Sequence, residues 1–358
     1  MDTADTPATD DGGQARETTD RRLRIAVFGA GNIGAYLGGM LADTAHVTLV
    51  GRSAPLAALR THGLTLTATG TPARHIPAER LHLASTADAV AGADVVLVTV
   101  KSAATAGAAG ELAPHLTPGA LVVSLQNGLR NVDTLRRALP GHTVVAGMVP
   151  YNVVTTAPAG RHRGTAGTLL VADAPATRRL TEVLRAAGLA ARTHPDMAAV
   201  QHAKLLMNLN NAVNALSGLP LREQLGDRAY RRCLARCQTE ALAAFRAAGL
   251  RPARLTPLPP AWTPWVLRLP DGLFRRVAAG TLRVDAQARS SMDDDLAAGR
   301  RTEIEDLQGQ VVQLAARHGV AAPANTRLVE LVHEAEDAPG ARRRWSGREL
   351  LAELTAAR

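Results

Sequence analysis

Short apolar runs alternate with longer alanine- and leucine-rich stretches over the first half of the chain. Strands joined by crossover helices produce this alternation, which therefore predicts a parallel sheet. The predicted strands cover residues 25–28, 47–50, 95–100, 121–125 and 144–148, with a late edge strand within 164–172 and a last one near 190–193.

Helical periodicity replaces the strand pattern after residue 196. It predicts long helices over 197–216, 222–248 and about 293–318, and a final basic helix from residue 341. The proline-rich segment 252–270, which contains Trp262 and Trp265, cannot form one regular element. We predict a loop or a broken helical excursion there.

Together these patterns predict an α/β protein with an N-terminal Rossmann-type parallel-sheet domain over 23–195 and an all-helical C-terminal domain over 196–358. Residues 1–22 are polar and rich in acidic side chains, so we predict a disordered tail and no signal peptide. No apolar stretch approaches the ~20 residues that a membrane-spanning helix needs, so no contact with a membrane is expected.

The charge and cysteine content of the chain indicate which kinds of partner and cofactor it can bind. The net charge is +9, but the arginines are dispersed and not interleaved with aromatic residues, which argues against nucleic acid as a partner. A positive field suits a small anionic substrate and a phosphorylated cofactor. Cys233 and Cys237 have a spacing that suits reduced thiols, so we expect a cytoplasmic protein, and no residues have metal-ligand spacing.

A glycine-rich turn, Gly29-Ala30-Gly31-Asn32-Ile33-Gly34, directly follows the first predicted strand and opens an apolar helix. In this position the glycines allow a tight turn and close approach of the backbone to a pyrophosphate, whose charge the helix N-terminus stabilises. The alternative is a purely structural turn. We predict that these six residues bind a dinucleotide.

Arg52 stands at the end of the second predicted strand, where NAD enzymes carry an acidic residue that holds the ribose hydroxyls. A carboxylate repels a 2′-phosphate, whereas a guanidinium pairs with it. Arg52 therefore predicts NADPH as the cofactor.

Only two lysines, Lys101 and Lys204, occur among the 41 basic residues. Lysine is a compact charge that can donate a proton, which arginine does poorly, so each lysine is a candidate functional residue. Lys101 and Asn127 both follow predicted strands, and the carboxyl ends of strands line the ligand crevice of open α/β sheets. Asn127 could bridge cofactor and substrate, although the sequence around it could also be a simple turn.

Lys204 shares one face of its predicted helix with Asn208 and Asn211, while apolar residues fill the rest of the helix. A lysine flanked by amides suits an anionic substrate, although a solvated polar stripe is the alternative. Ser291 and Glu303 each also have a purely structural explanation. Ser291 has capping-box spacing to Asp294, and Glu303 could lie on a solvated helix face.

These motifs resemble those of the ketopantoate reductases (2-dehydropantoate 2-reductases) over residues 24–334. The resemblance rests on the glycine turn, Val100-Lys101, Gln126-Asn127-Gly128, the helix of Lys204 and Asn208, and three late segments, namely Ser290-Ser291-Met292, Arg301-Thr302-Glu303-Ile304 and Pro323-Ala324-Asn325-Thr326.

The resemblance implies an active site between the two domains, with Lys204 as the catalytic lysine and Glu303 beside it, orienting the lysine and contacting the cofactor ribose. It further implies that Asn208 and Ser291 bind substrate, that Lys101 contacts cofactor, and that Asn127 contacts both. Many members have a second asparagine at the position of Ala212, and we expect the neighbouring Asn211 to take its place.

The sequence thus predicts an NADPH-dependent reduction of 2-dehydropantoate to (R)-pantoate in the synthesis of pantothenate and coenzyme A. A reductase of another small 2-oxo acid or of an imine is the alternative, and a non-catalytic dinucleotide-binding sensor is a third reading. An apolar helical domain makes a homodimer plausible.

Overall fold

The computed structural model describes residues 22–277 and 288–357, so almost all of the predicted tail lies outside the described residues. The strands are β1 Arg24–Phe28, β2 His46–Val50, β3 Leu64–Ala68, β4 Thr71–Ile76, β5 His82–Ala84, β6 Val95–Val98, β7 Leu121–Ser124, β8 Thr143–Met148, β9 Val153–Ala157, β10 Gly160–Arg163, β11 Leu169–Ala172 and β12 Ala191–His194.

The helices are α1 Asn32–Leu41, α2 Ser53–His62, α3 Thr105–Leu112, α4 Asn131–Ala138, α5 Pro175–Ala186, α6 Met197–Asn208, α7 Asn210–Ser217, α8 Leu221–Gly226, α9 Arg228–Ala247, α10 Thr263–Leu267, α11 Asp271–Val277, α12 Ser291–Ala297, α13 Gln308–Arg317, α14 Pro323–Glu336 and α15 Gly347–Ala356. Single 3-10 turns cover Ala78–Arg80, Ala87–Val90, Ser102–Ala104, Pro260–Trp262 and Ile304–Asp306.

A large sheet of eight strands has the order β12-β11-β8-β7-β6-β1-β2-β5. Its neighbours pair in parallel except β8 and β11, which are antiparallel. The strand order reverses between β1 and β6, and ligands bind at such a switch point in open α/β sheets. The predicted fold class is confirmed, although the strand at 164–172 is not at the edge, because β11 lies between β8 and β12.

A second sheet, of order β4-β3-β10-β9, was not expected from the sequence. β4 is largely exposed and carries a proline and an arginine, so it lacks the apolar alternation that reveals a strand. Thr155 on β9 donates a hydrogen bond to Asn32 Oδ1 (2.7 Å) at the start of α1. The small sheet therefore packs beside the glycine-rich turn.

The predicted helix 197–216 is divided into α6 and α7 at Leu209. Gln308 Nε2 donates to the Leu209 carbonyl (2.8 Å), and Gln238 Nε2 donates to the Leu206 carbonyl (3.0 Å). Side chains that take helix carbonyls in this way interrupt the backbone ladder and bend the helix. Both glutamines come from distant helices, which is why sequence periodicity missed the break.

Three other helix predictions were too long. Asp227 separates α8 from α9 and caps α9 by accepting from Ala229 N (2.7 Å). The predicted helix 293–318 consists of α12, a 3-10 turn and α13. Residues 341–345 are not helical, and Arg342 within them pairs with Asp293 (2.7 Å) before α15 begins.

The proline-rich segment is a broken excursion, as predicted, and a fully buried arginine on α9 holds it in place. All five guanidinium donors of Arg231 are used, on the carbonyls of Leu225, Gly226, Leu267 and Leu269 and on the Asp271 carboxylate. Burying this charge is tolerable only because each donor has a partner.

Apolar side chains form one core in the helical region and one on each face of the large sheet. Helix α6 contributes to two of them. Met197 and Val200 pack against the sheet, whereas Leu205 and Leu206 pack into the helical core. Lys204 lies on α6 between the residues that pack into one core and those that pack into the other.

Candidate active site

The turn after β1 requires glycine at two positions for packing. Gly29 has φ +114°, and a Cβ there would lie 2.6 Å from Val100 N. A Cβ at Gly34 would collide with the Gly29 carbonyl and the Thr99 hydroxyl. By contrast, a Cβ at Gly31 would meet nothing within 4 Å, so the space beside Gly31 is open. The protein itself therefore gives no reason for glycine at position 31.

The N-terminus of α1 faces this open space. Gly29 and Ala30 donate their N–H groups to the Val50 carbonyl (2.9 Å each), which fixes the turn against β2. Gly31 precedes α1 and supplies no side-chain cap. The first N–H groups of the helix, from Asn32 onward, are thus available to an anion, and the residues present fit the pyrophosphate of a dinucleotide.

Arg52 lies beside the same turn. A Cβ at Gly51 would lie 2.9 Å from the Ala30 side chain, so the end of β2 is in direct contact with the glycine-rich turn. Arg52 is exposed, and it makes no hydrogen bond or ion pair with any residue that the structure describes. Its guanidinium is therefore available to a ligand next to the dinucleotide cradle.

A chain of hydrogen bonds joins the sheet to the helical region. Asn208 Nδ2 donates to Asn127 Oδ1 (3.2 Å), and Asn127 Nδ2 donates to Glu303 Oε2 (3.1 Å). The other carboxylate oxygen of Glu303 accepts from the Ser102 backbone N–H (3.2 Å) and hydroxyl (3.3 Å). The structure thus brings Asn127, Asn208 and Glu303 together, as expected, and adds Ser102.

Lys204 lies one turn before Asn208 on the same helix face, about 40° away around the axis. Its side chain is half-buried, and within the described part of the chain it makes no hydrogen bond or ion pair. Desolvation lowers the pKa of Lys204 to about 8. The ammonium is therefore acidic enough to donate a proton near neutral pH and has no protein partner to satisfy it.

Glu303 makes no hydrogen bond or ion pair with Lys204 among the described residues, so the expected orientation of the lysine by this carboxylate has no direct contact behind it. The carboxylate is occupied by Ser102 and Asn127, and no ion pair links it to Lys204 in 22–277 and 288–357. Glu303 acts instead on Asn127, whose amide then reaches Asn208 beside the lysine.

Lys101 bridges the two halves of the molecule. Its Nζ lies 2.5 Å from Asp295 Oδ2 on α12, and Asp295 also accepts from Arg300 Nε (3.1 Å). Asp295 is buried, whereas the Lys101 side chain is 48% exposed. The ion pair therefore leaves part of the Lys101 side chain exposed. The expected contact of Lys101 with cofactor stays a prediction.

Ser291 is the exposed first residue of α12 and does not cap it. Ser290 has that role: its hydroxyl accepts from Asp293 N (3.2 Å) and donates to the Asn211 carbonyl (3.2 Å). The capping alternative for Ser291 is therefore wrong, because the cap lies one residue earlier. The hydroxyl of Ser291 is left for a ligand, and Asn211 is half-buried beyond the break at Leu209.

Sequence reasoning missed Ser102, Asp295 and Asn131 as parts of this region. Ser102 directly follows Lys101, so the rule that selected the lysine, its place after a strand, would also have selected the serine. Asp295 lies 194 residues from Lys101, and no local pattern connects them.

No helix in the described ranges is both long and apolar enough to cross a membrane. Across the same residues, no group of three His, Cys, Asp or Glu side chains is placed to hold a metal ion. Cys233 and Cys237 are buried free thiols on α9.

Comparison with known proteins agrees with this geometry. Residues 25–175 match the family described as ketopantoate reductase PanE/ApbA, and residues 196–336 match its C-terminal counterpart. A 2-dehydropantoate 2-reductase of Halobacterium salinarum is 34% identical over 88% of this chain and 99% of its own length. The chain belongs to the ketopantoate reductase family.

Solved structures show the same relationship. A ketopantoate reductase of this family from Ralstonia eutropha superposes with a TM-score of 0.76 at 30% identity, covering 88% of this chain and 99% of its own. A D-mandelate dehydrogenase complex with NADH and anilino(oxo)acetate has a TM-score of 0.75 at 19% identity, covering 89% and 100%, and so shares the fold. Family membership confirms a reductase that depends on a pyridine nucleotide.

Gly31→Ala tests the dinucleotide cradle. The new methyl group meets no protein atom within 4 Å but occupies the open space, so we expect the thermal midpoint without cofactor to stay unchanged. The Kd for NADPH, measured by fluorescence titration, should rise about tenfold or more, since displaced phosphate contacts are charge-assisted. Gly107→Ala, also in open space but on α3, is the matched control and should leave Kd unchanged. Unaltered NADPH binding in Gly31→Ala would show that the cradle lies elsewhere.

Proposed function

We propose that the protein reduces 2-dehydropantoate to (R)-pantoate with NADPH, a step in the synthesis of pantothenate and coenzyme A. The observation that carries this proposal is Lys204, a desolvated ammonium with no partner among the described residues, one turn from an amide that is linked to the sheet edge. Relatives named 2-dehydropantoate 2-reductase cover nearly the whole chain, which supports this substrate.

The residues of the cleft suit a small anionic 2-oxo acid. Asn208 and Ser291 would bind the substrate, with Asn127 and Asn211 beside them. Lys204 would hold the ketone oxygen, stabilise the negative charge that develops on it and donate the proton. The glycine-rich turn would hold NADPH, with Lys101 and Glu303 as further contacts, and the bound cofactor would supply the hydride.

Glu303 supports this arrangement by fixing Asn127. An amide that must serve both substrate and cofactor has to keep one orientation, and the bond from Asn127 Nδ2 to the carboxylate sets it. We therefore assign Glu303 a role in the site through Asn127 and not through Lys204.

A reductase of another 2-oxo acid is the second candidate function. Ala212, at the position where many family members have asparagine, is fully buried in the helical core and offers no amide to a substrate. The same fold also serves a D-mandelate dehydrogenase. A non-catalytic sensor is less well supported, because Lys204, Asn208 and Glu303 are all present.

The domain division at residues 195–196 and a homodimer also stay predictions.

A panel of 2-oxo acids distinguishes the two candidate substrates. NADPH oxidation should be fastest with 2-dehydropantoate, compared at equal concentration with small straight-chain, branched and aromatic 2-oxo acids. Faster turnover of another acid, with 2-dehydropantoate inert, would transfer the proposal to that acid and leave the reductase assignment intact.

The pH dependence of turnover reports on Lys204. The protonated amine is the active form, and burial lowers its pKa to about 8, so kcat/KM should fall as pH rises above about 8. Lys204→Arg keeps the charge but donates poorly, so kcat should drop by about a hundredfold or more and the alkaline fall near pH 8 should disappear. Wild-type turnover in a folded Lys204→Arg variant would exclude the assigned role.

Arg52→Ala tests the choice of cofactor. Loss of a charge-assisted bond to the 2′-phosphate should lower the ratio of kcat/KM for NADPH to that for NADH about tenfold or more. Arg60→Ala removes another exposed arginine from α2 and should leave the ratio unchanged. An equal ratio in wild type and Arg52→Ala would mean that the 2′-phosphate is recognised elsewhere or not at all.

A further inference from the structure

A buried polar cluster lies behind Asn127 and Glu303, on the side away from Lys204. We define it as Ser102, Thr105, Ser124, Gln126 and Asn131, each of which is at most 9% exposed. Buried polar side chains cost free energy unless every one is hydrogen-bonded, so five together need an explanation. None of them has a place in the proposed chemistry.

The hydrogen bonds of the cluster form a series that leads from Ser124 to Asn131. Ser124 donates to Gln126 Oε1 (3.1 Å), and Gln126 Nε2 donates to Thr105 Oγ1 (2.7 Å). The Thr105 hydroxyl lies within hydrogen-bond distance of both Asn131 Oδ1 (2.7 Å) and the Ser102 carbonyl (2.8 Å), and its one proton serves one of these acceptors at a time. The series ends at Asn131, whose amide nitrogen donates onward.

Asn131 and Ser102 deliver these bonds to the site. Asn131 Nδ2 donates to the Asn127 carbonyl (2.5 Å) and to Ser102 Oγ (3.1 Å). The Ser102 hydroxyl lies within hydrogen-bond distance of both the Asn127 carbonyl (2.9 Å) and Glu303 Oε1 (3.3 Å). The two groups that the cluster reaches are thus the backbone of one site residue and the carboxylate of another.

We propose that Ser102 and Asn131 are positioning residues that hold Asn127 and Glu303 for reduction of the 2-oxo acid, an inference that rests on the proposed function. The Asn127 backbone and Glu303 Oε1 are both held from behind. The Asn127 amide and Glu303 Oε2 then bond to each other beside Asn208, and both groups keep one placement when substrate arrives. Displacement of a catalytic group by about 1 Å can cost up to a hundredfold in rate.

Ser102→Ala removes the hydroxyl and leaves the backbone bond from Ser102 N to Glu303. We expect kcat for the 2-oxo acid to fall about tenfold, while the Kd for NADPH, set mainly by the glycine-rich turn and Arg52, changes less than about twofold. Ser102→Thr keeps the hydroxyl and should recover most of kcat. Thr181→Val is the matched control, because it also removes a buried hydroxyl, which bonds to the Thr177 carbonyl on α5 (2.8 Å). It should lower the thermal midpoint without changing kcat.

Asn131→Asp provides the second test if Ser102→Ala does not fold. It keeps the acceptor for Thr105 but replaces the donor to the Asn127 carbonyl, so the same fall in kcat is expected. The inference is overturned if a folded Ser102→Ala or Asn131→Asp variant has a kcat within about twofold of wild type, or if Thr181→Val loses as much.

The wild type separates this inference from the proposed function. All variants are measured with the 2-oxo acid that the wild type reduces best, so an inert 2-dehydropantoate counts against the proposed substrate alone. If the wild type reduces no 2-oxo acid, both the function and the positioning roles are wrong.

Discussion

The carboxylate of Glu303 is the contact on which the candidate site depends. It comes from the helical region, yet its donors belong to Ser102 and Asn127, which both follow strands of the large sheet. The Ser102 backbone N–H and the Asn127 amide donate to it, and the Ser102 hydroxyl lies within hydrogen-bond distance of it and of the Asn127 carbonyl. A carboxylate held by several donors is a strong and directional link. It sets the position of the Asn127 amide, and through that amide it sets how the sheet edge meets Asn208 on α6.

This link is polar because the apolar cores lie on either side of it. Both faces of the sheet and the helical region have separate cores, and α6 passes from one to the other. At that changeover the chain places the half-buried Lys204 and the buried Asn208. The Lys101–Asp295 ion pair joins the two halves at the same level. A joint made of hydrogen bonds and ion pairs can admit a charged ligand, whereas a joint made of packed apolar side chains would have to be opened first.

The sequence predicted the features that depend on neighbours in the chain. The glycine-rich turn, Arg52 and the Lys204–Asn208 pair are local, and backbone geometry alone brings their members together. The features that it missed depend on distant contacts. The bend at Leu209 is caused by Gln308, and the partner of Lys101 is 194 residues away. The second sheet was not predicted although β3 alternates apolar and polar residues, because its partner β4 is largely exposed and lacks that alternation.

The use of lysine at position 204 follows from the same arrangement. Arginine has five donors in a wide fork, and the one fully buried arginine among the described residues, Arg231, needs four carbonyls and a carboxylate to satisfy it. In residues 22–277 and 288–357, no acceptor hydrogen-bonds to Lys204 or pairs with it. A single ammonium can stay there because it is only half-buried, and an anionic 2-oxo acid would compensate its desolvation with opposite charge. The same desolvation that makes burial of this ammonium costly lowers the pKa of the amine, so the cost of burying Lys204 and the proton-donor role proposed for it have one physical origin.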